Sequence, residues 1–532
     1  MSLRQTLLTL GAAFSLSCTG LVWAEAPLVY CSEGSPESLN PQRTLSGTAR
    51  NATATTLYDR LVDFEPGTTK IVPALAQSWT VSADKRTYEF TLRRGVKFHS
   101  TAYFTPSRDF NADDVLFSFN RQLRPDHPYH KVGGGNYQYF QGLGMDKVIA
   151  SITRVDEHKV RIVLNRPEAP FLSDLAMPFM SILSAEYGTK LLAAGEPEEL
   201  DRRPIGTGPY AFVSATNSIR YTAHPAYWNG APKTKQLVFA ITPDASVRLQ
   251  KVRRGECHMA VSPAPADLPA IRRDPRLVLD EAEGVNVGYL ALNMQKPPFD
   301  NVLVRRAFAH ALNKQAYVDA VWLGNATVAI NPYPAGQWSW TDQVSTYAYD
   351  PAKARALLAQ AGYPNGFSAT LWTLPVSRPY LPNGRKLGEM MQADLAKVGI
   401  RVELATFDWG TYLDKVRRGE HQIVQLGWGT DNGDPDNFLY TLFSCDAVTR
   451  GSNNARYCKP DFDALITEAR VVQDPQARAA LYRKALAVLS RDVPLVPIAH
   501  AKVYRVMSTQ LTGRLPDPLD LDHFRLLALK DH

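Results

Sequence analysis

Beyond its first two dozen residues, the 532-residue sequence contains no apolar run long enough to cross a bilayer. A membrane-spanning helix needs about 20 consecutive apolar residues, so we expect the chain after this leader to be soluble. The sequence also lacks a Gly-x-x-x-x-Gly-Lys phosphate loop, a His-Glu-x-x-His zinc motif and a Gly-x-Ser-x-Gly nucleophile turn. These absences remove every positive argument for catalysis, although catalytic groups can also assemble from distant positions.

The charge pattern gives no sign of a nucleic-acid partner. The formal net charge is +7, and the basic residues are scattered or form short clusters such as Arg202-Arg203. A nucleic-acid groove requires a basic face interleaved with stacking aromatic side chains. The eleven histidines are dispersed and have no carboxylate at metal-ligand spacing. We therefore predict no nucleic acid, no metal and no cofactor.

The first two dozen residues have the three parts of a secretory signal. Arg4 provides the positive start, residues 7–16 form the apolar stretch, and Val22-Trp23-Ala24 offers a cleavage site. The apolar stretch is too short to span a bilayer. The pattern predicts a signal peptide at residues 1–24 and export of the remaining chain.

Cysteine is scarce, with five in the whole chain. Cys18 lies in the predicted signal peptide, which leaves Cys31, Cys257, Cys445 and Cys458. An even number of cysteines in an exported protein predicts two disulfides. Three pairings are possible, and the spacing does not choose among them. A zinc site is disfavoured because there is no Cys-x-x-Cys pair.

Helix and strand patterns mingle along the chain. Residues 28–98 have the composition of strands and turns, and residues 87–92 alternate polar and apolar as a half-buried strand does. Asn111 and Asp350 stand where helix caps are expected, and residues 493–498 form an apolar run typical of a buried strand. The mixture predicts an α/β (mixed α+β) fold. The length predicts two or three domains.

One stretch, residues 427–437, combines glycines, acids and a tryptophan after an apolar lead-in. A surface turn is one interpretation, because Asp, Asn, Gly and Pro dominate turns. A calcium loop is disfavoured because the closing glutamate is missing. A ligand site is the other interpretation: Trp428 offers an apolar wall, Gly429 lets a ligand backbone approach, and Asp431 offers a charge.

A second stretch, residues 374–382, places three prolines around Arg378. A rigid loop that presents a planar guanidinium suits recognition of a carboxylate. An exposed loop arginine with no ligand is the commoner alternative.

Taken together, these segments resemble the dipeptide-binding branch of the extracellular solute-binding proteins, family 5, of ABC transporters. The likeness runs over essentially the whole chain after the signal peptide. The segments that carry it most clearly are residues 28–37 (Leu-Val-Tyr-Cys-Ser-Glu-Gly-Ser-Pro-Glu), 94–99, 110–115, 204–210 (Pro-Ile-Gly-Thr-Gly-Pro-Tyr), 241–248 and 431–437.

The resemblance implies a two-lobed, periplasmic-binding-protein-like fold with a ligand cleft between the lobes. It also implies the disulfides Cys31–Cys257 and Cys445–Cys458, each within one lobe. The implied division of the chain is lobe I at 25–283 with a subdomain at about 58–205, lobe II at 284–501, and a C-terminal return to lobe I at 502–532.

The resemblance also implies a role for particular residues. Asp431 would pair with the α-ammonium of a peptide, and Arg378 with its α-carboxylate. The other residues implied at the peptide are Trp428, Gly429, Thr430, Trp409, Tyr380, Ser46 and Gly47. Leu45 departs from the pattern, which has a small polar residue there, and this puts the accepted peptide length in doubt.

The function implied is capture of di- or tripeptides in the periplasm and their delivery to the membrane permease of an ABC importer, by a monomer that is not an enzyme. The same fold binding haem, a nickel chelate or an oligosaccharide is the alternative. An exported hydrolase or a structural envelope protein would belong to other classes, and no motif favours either.

Overall fold

The computed structural model describes residues 26–530 and shows mixed helices and sheets arranged in two lobes. The predicted signal peptide lies outside the described residues. Within residues 26–530, no helix combines the length and the apolar character that a membrane crossing requires. The strands in chain order are β1 (Leu28–Ser32), β2 (Val62–Phe64), β3 (Ile71–Pro73), β4 (Ala76–Val81), β5 (Thr87–Leu92), β6 (Ile149–Asp156), β7 (Lys159–Leu164), β8 (Tyr210–Ala215), β9 (Ile219–Ala223), β10 (Gln236–Ile241), β11 (Met259–Val261), β12 (Leu277–Ala282), β13 (Asn286–Leu292), β14 (Ala326–Val328), β15 (Ser368–Trp372), β16 (Arg401–Ala405), β17 (Ile423–Gly429), β18 (Leu495–Ala501), β19 (Val503–Ser508), β20 (Leu511–Thr512) and β21 (Ala528–Leu529).

The helices are spread over both lobes. In chain order they are α1 (Gly47–Ala52), α2 (Ala112–Leu123), α3 (Gln138–Gly142), α4 (Met145–Val148), α5 (Phe171–Leu175), α6 (Ala185–Ala194), α7 (Glu199–Arg202), α8 (Ala245–Arg253), α9 (Leu268–Arg273), α10 (Val302–Ala311), α11 (Lys314–Tyr317), α12 (Pro351–Gln360), α13 (Gly384–Ala396), α14 (Trp409–Arg417), α15 (Asp436–Phe443), α16 (Ala447–Arg450), α17 (Pro460–Val471) and α18 (Pro475–Asp492).

The first lobe is built on a seven-stranded sheet in the order β12-β19-β11-β1-β10-β9-β8. Strand β1 runs parallel to both of its neighbours, β10 and β11, whereas the outer pairs are antiparallel. Parallel neighbours need a long crossover connection. The crossover from β1 to β10 contains a four-stranded antiparallel sheet in the order β4-β5-β7-β6.

Several local predictions for this lobe are confirmed. Strand β5 alternates as predicted, because Tyr88, Phe90 and Leu92 are buried while the residues between them are half-buried. Helix α2 begins with a capping box. The Asn111 side chain accepts from a backbone N–H of the first turn, and the Asp114 side chain accepts from the backbone N–H of Asn111.

The second lobe is built on a six-stranded sheet in the order β14-β18-β13-β17-β15-β16. Every residue of the central strand β13 is buried, as expected for a strand covered on both faces. Its antiparallel neighbour β17 contains the apolar residues that precede the Gly- and Asp-rich turn, and it ends at Gly429. Strand β17 therefore delivers this turn to one end of the sheet.

The chain passes between the two large sheets at two adjacent places. Strand β12 ends at Ala282 in the first sheet and β13 begins at Asn286 in the second; on the return, β18 ends at Ala501 and β19 begins at Val503. The Asn286 amide donates to the Ala501 carbonyl at 2.9 Å and accepts from the Ala501 backbone N–H at 3.0 Å. The two crossings are thus bonded side by side. The residue ranges given to the domains from the sequence stay a prediction.

Both disulfides implied by the family resemblance are present. Cys31 in β1 bonds Cys257 across a sequence separation of 226 residues, and Cys445 bonds Cys458 across 13. The long-range bridge ties the start of the first lobe to the segment that leads into β11, and the short one closes a loop of the second lobe.

Two expectations from the sequence are wrong in detail. Residues 28–98 contain helix α1 as well as strands, because the Ser46 side chain caps it by accepting from the Ala49 N–H at 3.1 Å. The strand predicted at 493–498 begins two residues later, at Leu495. Val493 has a left-handed φ of 48° that ends helix α18.

Candidate functional site

A cleft of about 1060 Å³ lies between the two lobes and is lined by side chains of both. The site residues predicted from the sequence all border it. They are Ser46 and Gly47 from the first lobe and Arg378, Tyr380, Trp409, Trp428, Gly429, Thr430 and Asp431 from the second, with Leu45 beside the first pair. Residues far apart in the chain are therefore brought to one cavity.

Asp431 lies just beyond the end of β17 and is held there by the turn. Its backbone N–H donates to the Asn437 side-chain oxygen at 3.0 Å, and the same oxygen accepts from the Trp428 indole at 3.0 Å. The Thr430 N–H donates to the carbonyl of Val285 at 2.9 Å, beside the first crossing between the sheets. These backbone and amide contacts fix the turn and thereby the position of the Asp431 carboxylate.

The Asp431 carboxylate contacts two side chains of the first lobe. Arg50 in α1 donates to one oxygen at 2.9 Å, and the hydroxyl of Tyr139 in α3 donates to the other. Burial raises the pKa of Asp431, while Arg50 and Tyr139 oppose that rise. Asp431 is therefore a largely buried carboxylate held by two donors of the first lobe.

Arg378 projects from the proline-rich loop predicted to present it. A backbone pairing between Arg378 and Leu381 stiffens this loop. The guanidinium donates to Glu33 of the first lobe and to the Thr48 hydroxyl at 3.0 Å, and it lies 4.8 Å from the centre of the Trp409 ring. Burial works against the charge of Arg378, but the adjacent carboxylate of Glu33 raises its pKa overall. The arginine is therefore charged at any physiological pH.

Glu33 is the counter-ion of Arg378 on the first lobe. Burial opposes its ionisation, but Arg378 and the Thr48 hydroxyl hold the pKa of Glu33 below its usual value. Arg248, a third charge behind them, also lowers it. The carboxylate of Glu33 is therefore ionised, with Arg378 as its direct partner.

Aromatic side chains form the apolar walls between these charged ends. Tyr380 packs directly on two glycines of the second sheet: a β-carbon on Gly427 would come within 2.1 Å of its ring, and one on Gly288 within 2.3 Å of its carbonyl oxygen. The absence of side chains at these two positions lets the Tyr380 ring pack against β17 and its backbone approach β13. Trp409 and Trp428 extend this wall along the cleft.

Sequence reasoning missed the residues that face Asp431 and Arg378 from the first lobe. Glu33 lies within a segment that carries the family resemblance, and Arg50 lies four residues after the predicted Ser46, so both had a nearby signal. Thr48 follows Gly47 directly. No feature of the sequence pointed to Tyr139, because nothing in the sequence relates α3 to the turn after β17.

A buried ionic cluster joins the two lobes next to this turn. Its members, called here the closure cluster, are Glu168 and Asp174 from the first lobe and Asp434, Asp436, Arg470 and Arg478 from the second. Arg470 pairs with Glu168 and lies 3.6 Å from Asp436, and Asp434 pairs with Arg478 at 2.9 Å. The carboxylates outnumber the guanidinium groups, and neither oxygen of Asp436 accepts a hydrogen bond from residues 26–530.

The closure cluster should make the stability of the protein depend on pH. Burial raises the pKa of Asp436 from 3.8 to about 7 although Arg470 opposes it. The native state then holds a proton that the unfolded chain releases, so stability falls as pH rises through this interval, by up to about 1.4 kcal/mol per pH unit. Urea unfolding of the native protein at pH 5 and pH 7 should show a loss of about 1–2 kcal/mol relative to Asp436→Asn. Parallel pH profiles for the two proteins would contradict this.

Comparison with known proteins places the chain among transport proteins. Residues 70–450 match the family described as "Bacterial extracellular solute-binding proteins, family 5 Middle". The chain is 48% identical to the dipeptide-binding protein of Escherichia coli K12, over 94% of each chain. It is 46% identical to di/tripeptide-binding protein 1 of Pseudomonas aeruginosa UCBPP-PA14, over 93% of each. The solved dipeptide-binding protein of Pseudoalteromonas sp. SM9913 in complex with Met-Leu superposes with a TM-score of 0.93 at 39% identity, covering 95% of this chain and all of that one.

Proposed function

Since the chain belongs to the bacterial extracellular solute-binding proteins of family 5, we propose that it captures di- or tripeptides in its cleft and delivers them to the permease of an ABC importer. The observation that carries the proposal is the pair of opposite charges, Asp431 and Arg378, that border one cavity between the lobes. A short peptide is a zwitterion with one charge at each end, so its two termini match these two residues. The names of the relatives, dipeptide- and di/tripeptide-binding proteins, support the same ligand class.

In the proposed complex, the α-ammonium of the peptide binds Asp431 and the α-carboxylate binds Arg378. An extended chain spans only about 3.3–3.6 Å per residue, so two fixed charges select peptides by length. Tyr380, Trp409 and Trp428 face the peptide side chains, and apolar walls accept many side chains without hydrogen bonds that would discriminate among them.

The first lobe completes the site. Ser46 and Gly47 border the cleft from the first lobe, and Gly429 and Thr430 border it from the second. Movement of the lobes about the paired crossings at Asn286 and Ala501 would admit the ligand and then enclose it. Enclosure removes water from the cleft, which strengthens each charge contact.

The remaining parts of the proposal follow from the family and the leader sequence. The protein is exported to the periplasm by the signal peptide at residues 1–24, binds its ligand as a monomer, and carries out no catalysis. Haem, a nickel chelate or an oligosaccharide is a less suitable cargo, because none of these brings the single positive and single negative end that Asp431 and Arg378 fit.

Calorimetric titration with Ala-Ala, N-acetyl-Ala-Ala and Ala-Ala amide tests the proposal. We expect each blocked peptide to bind at least about tenfold more weakly than Ala-Ala, because a buried charge of the protein is left without its partner. The protein should first be unfolded and refolded to remove any peptide that copurifies. Equal affinity for the three peptides would refute the assignment of the two ends, and absence of binding to all three would refute peptide capture.

A further inference from the structure

Arg50 borders the cleft at Asp431, where the peptide ammonium is proposed to bind. We call this the ammonium end of the cleft. The Arg50 side chain is 10% exposed, and its guanidinium contacts the carboxylate of Asp431 at 2.9 Å. Asp431 is the residue proposed to bind the peptide ammonium, so a cation of the protein already stands beside the anion intended for a cation of the ligand. An ammonium bound there would share one carboxylate with a guanidinium in a buried site, which leaves a local excess of positive charge.

Asp520 is a second carboxylate that interacts with Arg50, and its backbone carbonyl accepts from Arg50 at 3.2 Å. The Asp520 side chain is ion-paired with Arg505 at 2.8 Å. Arg50 is therefore ion-paired directly with Asp431, and Asp520, which Arg505 also holds, compensates its charge in part.

The end of the cleft at Arg378 is arranged differently. Glu33 contacts Arg378 directly, whereas Arg248 donates to backbone carbonyls, among them those of Val261 and Ser262, and acts on Glu33 only through its charge. At this end an α-carboxylate would meet the positive charges of Arg378 and Arg248, whereas at the other end an α-ammonium would meet the positive charge of Arg50. An anion beside Arg50 would offset that repulsion.

The space beside Arg50 can hold that anion. Gly47 borders the cleft, and a β-carbon on it would lie 3.7 Å from Nη2 of Arg50. Gly47 itself therefore places no side chain between Nη2 and the cleft. A carboxylate on the first side chain of a peptide would lie near its own α-ammonium and hence near Arg50. Nη1 and Nη2 of Arg50 each donate one hydrogen bond already, to Asp431 and to the Asp520 carbonyl, and each keeps a second N–H that can donate to such a group.

We propose that Arg50 determines specificity and that the cleft prefers peptides whose first residue is aspartate or glutamate. The inference rests on the proposed function, because it assumes that the α-ammonium binds Asp431. In the complex the charges alternate from the α-ammonium to Asp431, to Arg50 and to the side-chain carboxylate of the peptide. A first residue with a basic side chain is disfavoured for the same reason.

Titration calorimetry with Glu-Ala, Gln-Ala and Lys-Ala tests the inference, because Glu and Gln differ in charge but hardly in shape. The native protein should bind Glu-Ala at least about tenfold more tightly than Gln-Ala, and Lys-Ala more weakly than Gln-Ala. In Arg50→Met the ratio between Glu-Ala and Gln-Ala should fall to about 1. Arg50→Lys retains the charge and should keep part of the preference.

The outcomes separate this inference from the function on which it rests. An unchanged Glu-to-Gln ratio in Arg50→Met, or a ratio of about 1 in the native protein, would overturn the role of Arg50. The measurement on the native protein does not depend on whether a variant folds. If Ala-Ala binds and loses affinity when either end is blocked, the peptide-binding function stands whatever the Glu-to-Gln ratio is.

Discussion

Replacing Arg378 with methionine is expected to lower the affinity for Ala-Ala by about 100-fold, because truncating one partner of a buried charge pair costs about 2–5 kcal/mol and each 1.4 kcal/mol is about tenfold. Methionine keeps much of the apolar stem that packs near Trp409 but removes every donor to a carboxylate. Calorimetric titration of the native protein and the variant measures the difference. Ala-Ala amide should bind both proteins with similar affinity, because it lacks the group that Arg378 would hold.

The Arg378→Met variant also leaves Glu33 without its main counter-ion, so a loss of folding could be mistaken for a loss of binding. Glu33→Gln introduced together with Arg378→Met removes that unpaired carboxylate. We expect the double variant to recover stability toward that of the native protein while Ala-Ala binding stays weak. Recovery of native affinity in the double variant would show that Arg378 serves only to neutralise Glu33.

Replacing Arg470 with methionine is expected to lower the free energy of unfolding by about 3–5 kcal/mol, the typical cost of removing one partner from a buried ion pair. The Arg470 side chain is fully buried, pairs with Glu168, and lies 3.9 Å from the centre of the Tyr440 ring. Without it, the buried carboxylate of Glu168 keeps only the half-exposed Arg166 at 3.4 Å, and Asp436 loses the guanidinium 3.6 Å away. Urea unfolding followed by tryptophan fluorescence gives the difference.

An exposed arginine supplies the matched control. Arg385 pairs with Glu389 one turn along helix α13, and its side chain is 86% exposed. Arg385→Met should change the free energy of unfolding by no more than about 0.5 kcal/mol, because water and salt screen exposed pairs. Similar losses in the Arg385 and Arg470 variants would contradict the account of the closure cluster.

Much of the local structure could be predicted from the sequence. Strand β5, the capped start of helix α2 and the start of helix α12 after Asp350 depend on residues close together in the chain, and all three are confirmed. The start of β18 was missed, because the left-handed conformation of Val493 is not visible in an apolar run that looks continuous.

The site was only half predictable from the sequence. Asp431 and Arg378 stood out because each lies in a segment of unusual composition, and the family resemblance then gave each a proposed role. Their counter-ions on the first lobe, Arg50 and Glu33, were not predicted. The contact between Arg50 and Asp431 joins residues 381 positions apart, and that between Glu33 and Arg378 joins residues 345 positions apart. No periodicity or spacing relates residues at such separations.

The sequence by itself determined the family, the mixed α/β composition, the number of cysteines available for disulfides, and the residues of the second lobe that border the cleft. Each of these depends on local patterns or on segments that can be compared one by one. Only the tertiary structure decided which charges face one another across the cleft. The physical reason is that the pKa and the charge balance of a buried group depend on every neighbour within a few ångströms. The fold places the first lobe's Arg50 beside Asp431, and the proposed preference for an acidic first residue rests on that contact.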